Sequence, residues 1–346
     1  MAPRKTDEIR SFIINNIEEH QNKISTVTAE TFSVSRQAVL KHINSLVKDG
    51  TLEVQGKTKN RRYTLKPIFD KTFTFELKGL EEDSVWRISI APLLEGTPDN
   101  VYKICQYGFT EMLNNAIDHS EGNKVMVNVQ KTLKEIQMFI WDDGVGIFNK
   151  IQKVFNLSDS LHAILELSKG KLTTDPQKHT GEGIFFSSRI FDAFSITSEK
   201  LFFSHSSRLD SAKGSDWLLE TKDEKISGTA IRMRIRLNST RTTKGVFDFY
   251  SGNEDYDFSK THVPVFLAQH GDENLISRSQ AKRLLSRFEK FKEIILDFQD
   301  VGSIGQAFAD EIFRVFQSEH PKINFYIVNA NEQVMQMINR ARMNKT

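Results

Sequence analysis

Glu111 and Asn115 stand four residues apart in the run Val101-Tyr-Lys-Ile-Cys-Gln-Tyr-Gly-Phe-Thr-Glu111-Met-Leu-Asn-Asn115. On a helix that spacing sets a carboxylate and a carboxamide on one face. Such a pair suits a phosphate site, because the Asn115 oxygen can coordinate Mg²⁺ while Glu111 orients or deprotonates a water. Taken singly, the pair also fits a solvated helix face. A second segment, Gln137-Met-Phe-Ile-Trp-Asp142-Asp-Gly144-Val-Gly146-Ile147, reads as an apolar strand that ends in an acid and two glycines. Gly144 and Gly146 let the backbone approach a flat ligand, and Asp142 can accept a hydrogen bond from an exocyclic amine such as adenine N6. Alone, the pattern is equally an ordinary strand-to-helix turn. In a third segment, Gly181-Glu-Gly183 opens a helix whose unpaired N–H groups can receive phosphate oxygens. The polar tract Lys169-Gly-Lys-Leu-Thr-Thr-Asp-Pro176 ahead of it reads as a mobile loop, and the stretch 149–183 as a lid. Finally, Ser227-Gly228-Thr229 puts a hydroxyl at the start of the alternating strand Ile231–Leu237.

Two common nucleotide signatures are missing. No GxxxxGK[ST] occurs, and Gly181-Glu-Gly183-Ile-Phe-Phe186 lacks the third glycine of a dinucleotide fingerprint. The elements that must position these residues follow from periodicity. Thr97-Pro98 reads as a cap and a proline in the first turn of the helix that carries Glu111. Ile104, Cys105, Gly108, Met112 and Ala116 on that helix predict a buried face. Residues 67–96 read as strands and turns.

Glu111-x-x-x-Asn115-Ala116-x-x-His119, Asp142-x-Gly144-x-Gly146-Ile147, Gly181-x-Gly183 and Gly228-Thr229 occur in an order and approximate spacing similar to those of the GHKL superfamily. The likeness covers roughly residues 70–240. It implies a Bergerat α/β sandwich that binds ATP and Mg²⁺. Glu111 then resembles the catalytic base, Asn115 the Mg²⁺ ligand and Asp142 the adenine partner. Gly144 and Gly146 would shape the base pocket, Gly181 and Gly183 the phosphate-contacting hinge of the lid. Thr229 would support the adenine-binding carboxylate through water. No helical hairpin with a phosphorylatable histidine precedes residue 97, so autophosphorylation on histidine is disfavoured. Gyrase-like relatives hydrolyse ATP and use the lid to control dimerisation, whereas anti-sigma-factor kinases, whose Glu-x-x-x-Asn-Ala-x-x-His wording is nearest, phosphorylate a serine on a partner. The residues permit both chemistries, and a homodimer with the first.

Residues 1–66 carry 12 Lys/Arg against 7 Asp/Glu, and the whole chain of 346 residues has a net charge of +2. A basic module therefore sits on a faintly acidic body, as in chains that meet a polyanion. Ile9, Ile13 and Ile17 predict one helix and Thr26–Phe32 a second. Ser35 caps a third, whose Val39, Ile43, Leu46 and Val47 face inward and which ends at Gly50. Thr51–Leu65 reads as two strands around a basic tip. The pattern resembles a winged helix-turn-helix. Arg36, Gln37 and Lys41 would reach DNA base edges, and Lys57, Lys59, Arg61 and Arg62 would neutralise phosphates. Winged helices also serve as protein-docking modules.

Beyond a polar stretch at 238–262, strand and helix alternate. Val263–Gln269, Ile294–Phe298 and Ile323–Val328 read as strands, and Ser277–Phe288, Ile304–Phe316 and Gln333–Arg340 as helices. This small α/β layer is similar to STAS-like domains, which implies a protein partner. The serine acceptor of related antagonists aligns near Gln306, with Ser303 displaced and read as a helix cap; Arg278 offers a contact to the lid or to a second subunit.

The expected fold is thus multidomain α/β: a winged helix-turn-helix at 1–66, a GHKL sandwich at 67–240 and a STAS-like domain at 245–346. No run approaches the roughly 20 apolar residues of a membrane span. A single cysteine, Cys105, excludes an internal disulfide. The expectation is a cytoplasmic, DNA-associated regulator in which Mg·ATP switches domain or subunit packing. Its alternatives are a non-catalytic ATP sensor and a serine kinase acting on a partner.

Overall fold

Three helices and a hairpin form the N-terminal region: α1 (Lys5–Asn16), α2 (Ile24–Phe32), α3 (Arg36–Lys48), β1 (Leu52–Gln55) and β2 (Arg62–Leu65). The computed structural model describes residues 5–56, 61–157, 159–173, 180–206, 217–220, 226–251, 258–269 and 274–343. Ile9, Ile13 and Ile17 form one stripe and share a core with Val39, Ile43, Leu46, Tyr63 and Leu65. Helix α3 starts where the Ser35 hydroxyl accepts the Ala38 N–H at 3.2 Å. The chain leaves it through Gly50 at φ +80°. Strands β1 and β2 pair antiparallel, Leu52 opposite Leu65.

By their internal contacts the residues fall into two compact units. The first is Met1–Thr72 with Asn128–Met138 and Arg236–Asn238; the second is Phe73–Val127, Phe139–Ile235 and Ser239–Thr346. Within the first, Lys134 Nζ donates to the Asn15 carbonyl at 2.8 Å, and Asn128 Nδ2 to Asp70 Oδ1 at 2.6 Å.

The architecture is mixed α/β. A seven-stranded sheet runs in the order β3-β4-β5-β9-β6-β7-β8, from β3 (Phe69–Glu76), β4 (Lys124–Lys131), β5 (Glu135–Asp142), β6 (Ala193–Glu199), β7 (Leu201–Ser206), β8 (Trp217–Glu220) and β9 (Ile226–Arg236). Alternation dictates which face is covered: Ile136, Met138 and Ile140 of β5 and Ile231, Met233 and Ile235 of β9 are buried. Helices α5 (Asp99–His119), α6 (Ile147–Val154), α7 (Ser160–Lys169), α8 (Gly183–Ile190) and α9 (Thr243–Tyr250) accompany this sheet, with a short α4 (Glu82–Val85) before them. Helix α5 begins one residue later than its capping pattern predicts, with Pro98 itself at the cap position. The Thr97 N–H instead bonds the Leu94 carbonyl at 3.1 Å. Residues 67–96 are strand only at β3; α4 runs on through wider and tighter turns to Leu94, and buries Trp86, Ile90 and Leu94.

Toward the C-terminus, β10 (Lys260–Pro264), β11 (Glu293–Asp297) and β12 (Asn324–Val328) make a parallel sheet in that order. Helices α10 (Arg278–Leu285), α11 (Gln306–Asp310), α12 (Gln317–Glu319) and α13 (Glu332–Met343) connect or follow these strands, as parallel pairing requires. The strand expected at Val263–Gln269 lies earlier, and Val265–Ala268 closes into a 3₁₀ turn. Ser277 caps α10 in a reciprocal capping box with Gln280. Ser303 caps nothing; Gly305 occupies the cap position of α11. Among the described residues no helix is long and apolar enough to cross a membrane.

The polar tract 169–176 departs most from its expected mobility, as far as it is described; residues 174–179 lie outside the described residues. Lys169 is fully buried at the end of α7, its Nζ 2.6 Å from Glu166 Oε1. It also donates to the carbonyls of Arg283 (3.2 Å) and Ser286 (2.9 Å). Arg287 Nη1 reaches Glu166 Oε2 at 2.9 Å. Burial alone would push Glu166 up, but contacts from His162, Lys169 and Arg287 outweigh it and hold the carboxyl at about 2. Removing one member of a buried ionic cluster leaves carbonyls and charge uncompensated. Lys169→Met should therefore destabilise the fold by about 2–4 kcal/mol at neutral pH, read from the urea midpoint.

Candidate functional site

Helix α5 buries Ile104, Cys105, Gly108, Met112 and Ala116 toward the sheet. Its neighbouring face carries Glu111 and Asn115 into a cavity of about 290 Å³. Asp142, Gly146, Gly181, Gly183 and Thr229 line the same cavity. Residues from segments as far apart as Glu111 and Thr229 thus meet in one place. Ile140, Ile151, Leu167, Leu172, Ile184 and Ile231 supply its apolar walls.

Asp142, the last residue of β5, is 5% exposed. Its Oδ1 accepts the Gly144 N–H at 3.0 Å and the Thr229 N–H at 3.3 Å. Burial pushes the carboxyl up to about 6; the two N–H donors oppose this without overcoming it, and neighbouring Asp143 adds to it. The Thr229 hydroxyl accepts the Ile147 N–H at 2.9 Å, which fixes the first turn of α6. The backbone N–H of Thr229 thus supports Asp142 directly. Gly144 does not line the cavity; it holds Asp142 and packs against the Ser120 carbonyl.

At the other end of the cavity, Gly183 opens α8 directly against Glu111. A Cβ at position 183 would collide with Glu111 Oε2, so a side chain there would push the carboxylate away from the helix start. Leu172 and Gly181 are tied by a backbone bond from the Leu172 N–H to the Gly181 carbonyl at 3.2 Å. Asn115 Nδ2 is buried and has no hydrogen-bond partner among the described residues. A buried orphan donor on a cavity wall marks a place where a bound group or water completes the bonding.

Lys150 belongs to none of the sequence motifs, yet it lines the cavity. Its Nζ donates to the His119 carbonyl at 2.7 Å and lies 3.0 Å from Glu121. One helical turn beyond Gly146, it points back along the helix toward the cavity, a spacing that could have found it. Tyr107, one turn before Glu111 on α5, is raised in pKa by burial and by the charges of Glu111 and Glu182. Leu167, Leu172 and Thr173 carry no chemical signal in the sequence.

Of the residues expected to meet DNA, Arg36, Gln37 and Lys41 are exposed on α3; Arg61, just before β2, and Arg62, its first residue, are exposed too. Arg36 Nε donates to Ser25 Oγ at 3.1 Å, which ties part of its guanidinium to α2. Lys57 and Lys59 lie outside the described residues. Among the described residues no cluster of three or more His, Cys, Asp or Glu side chains could hold a metal ion.

A family model described as a STAS-like domain of unknown function (DUF4325) matches residues 280–335. The match begins in α10 and ends in α13, so the chain contains a STAS-like domain at its C-terminal end. Among curated proteins none matches the chain at a significant level.

A carboxyl whose pKa rises from 3.8 to about 6 on folding binds more protons in the folded state between those values. Its penalty is absent below pH 4 and complete above pH 6, on the order of 3 kcal/mol. A ¹³C titration of the aspartate carboxyls should show one midpoint near 6 that vanishes in Asp142→Asn. The same substitution should flatten the fall in stability between pH 4 and 6.

Proposed function

We propose that this chain binds Mg·ATP in a GHKL-type site and that the bound nucleotide controls how its N-terminal winged helix-turn-helix engages DNA. The observation that carries the reading is the convergence, on one cavity, of a buried acceptor carboxylate with Glu111, Asn115 and a glycine-opened helix start. Asp142 accepts the adenine amine, and the apolar walls of Ile140 and Ile231 take the faces of the base. Asn115 would hold magnesium through its side-chain oxygen, and its buried Nδ2, without a partner among the described residues, would donate to a phosphate oxygen or water. With no carboxylate cluster among the described residues, that ion would complete its shell from phosphates and water. Magnesium, when bound, screens the phosphate charge. The N–H groups at the start of α8 receive phosphate oxygens, aided by the helix dipole.

Glu111 is the general base of this reading. It orients the attacking water and accepts its proton as the terminal phosphoryl group is transferred, a role worth about 10²–10⁴-fold. Nucleotide binding can shift the packing of the chain only by favouring one arrangement over another. The STAS-like match favours a second reading, transfer to a serine of a protein partner. In this chain Gln306 stands at the first position of α11, where the related acceptor aligns, so the acceptor belongs to another polypeptide.

Titration calorimetry with ATP and Mg²⁺ should show binding in the parent and none in Asp142→Asn. Glu111→Ala should still bind ATP while phosphate release falls by about 10²–10⁴-fold. Binding without phosphate release in the parent would exclude the hydrolase and leave the sensor, and label passing from ATP to a partner protein would establish the kinase. Arg61→Ala with Arg62→Ala should weaken binding of any duplex and lower the salt slope by about 2. Unchanged duplex binding, or none in the parent at low salt, would remove DNA from the proposal.

A further inference from the structure

The end of α7 is gripped by the C-terminal part of the chain in a way that the nucleotide reading does not use. Glu166 is 1% exposed and Lys169 0%. The Lys169 carbonyl accepts the Thr261 hydroxyl of β10 at 2.7 Å. Arg287, just past α10, sits in left-handed backbone at φ +63°. Its guanidinium spreads over Glu166 Oε2 (2.9 Å), the Gly170 carbonyl (2.9 Å) and the Lys171 carbonyl. Such a planar fork holds several acceptors at fixed mutual geometry, which an ammonium cannot do. The next residues along the chain, Leu172 and Thr173, are walls of the cavity, and Leu172 is bonded to Gly181. Leu167, beside Glu166, is also a wall.

Both cations pair directly with the one carboxylate Glu166, Glu289 favours the Lys169 charge from farther off, and backbone carbonyls complete the bonding. The carbonyls of Arg283 and Ser286 at the end of α10, and those of Gly170 and Lys171 after α7, turn toward the two cations. Two helix C-termini therefore converge on Lys169 and Arg287, where their partial negative charge favours cations. Arg287, inside the STAS-like match, thus holds the first two peptide groups of the segment 170–173, and the Leu172 N–H bond to Gly181 continues from there.

We infer that Arg287 is a positioning residue for the nucleotide cavity, through which the STAS-like domain sets the wall formed by Leu172 and Thr173. The inference rests on the proposed ATP site for its ligand but not for its geometry. A partner that binds the STAS-like domain and displaces Arg287 releases that wall. By reciprocity, nucleotide binding changes the affinity of the partner by the same factor.

Arg287→Lys keeps the charge and removes the fork. In the full chain it should speed hydrogen exchange at the Leu172 amide and weaken ATP binding about tenfold. Asp142→Asn should leave the Leu172 exchange unchanged. Lys282→Ala, exposed on the outer side of α10, serves as the control and should move neither reading. A merely structural role for Arg287 would lower the melting temperature and leave the ATP affinity of the folded protein intact, which overturns the inference. Should Arg287→Lys not fold, Glu166→Gln gives the same two readings. If the parent binds no ATP, the nucleotide reading fails by itself. Exchange at Leu172 then decides: slow exchange retained in Arg287→Lys overturns the positioning role, and fast exchange upholds it.

Discussion

A carboxylate kept out of water at the end of a strand must be held by donors, and the cavity is built around this requirement at Asp142. One donor is local, the Gly144 N–H two residues on. The other, the Thr229 N–H, comes from 87 residues away. It can arrive only because β9 lies next to β5 in the sheet. Gly228 makes the approach feasible, since a Cβ there would strike the Asp142 carbonyl, and its φ of +79° suits glycine. Because both donors go to the same oxygen and burial still dominates, the site remains short of hydrogen-bond donation. In the proposed reading, a ligand amine would supply what the fold leaves out.

The ionic cluster at Glu166 solves the opposite problem, an excess of buried positive charge. Its solution draws on carbonyls at helix ends, which a side-chain partner alone could not replace. That choice makes the cluster directional. The acceptors of Arg287 are successive peptide groups of the segment leading into the cavity, so any movement of the guanidinium is felt along the backbone. A pair of side chains buried between helices would have added stability without this consequence.

How far the sequence discloses such features depends on how local their causes are. Glu111 with Asn115, and Asp142 with its glycines, are legible because helix period and strand end place them within a few residues of one another. The caps at Ser35 and Ser277 are legible for the same reason, since each is bonded within three residues. Lys169 reads as part of a solvated loop because polar residues, glycine and proline surround it. Its compensation lies partly in Glu166, on the same helix, and partly in the carbonyls of Arg283 and Ser286, 114 and 117 residues beyond the lysine. The stretch from Val85 to Ile90 alternates like a strand, yet Trp86, Ile90 and Leu94 recur every four residues and wind as helical turns. There the two periods compete, and packing against Tyr102 and Phe109 favours the helical one. Ser303 has the composition of a cap but stands two residues too early, and no local rule tells it from Gly305.

Helix α7 joins these themes. Glu166 and Leu167 are adjacent and so point about 100° apart, one into the ionic cluster and the other into the cavity wall. A helix is stiff over ten residues, so it cannot yield at one of these positions and stay fixed at the other. Close-packed interiors do not deform smoothly; they exchange between discrete packings. In the proposed reading, a nucleotide that fills the cavity and a partner that draws on Arg287 would therefore act on the same element. Each would change the other's binding by a coupling free energy set by how differently the two ligands bind the alternative packings of α7, whatever chemistry follows at Glu111.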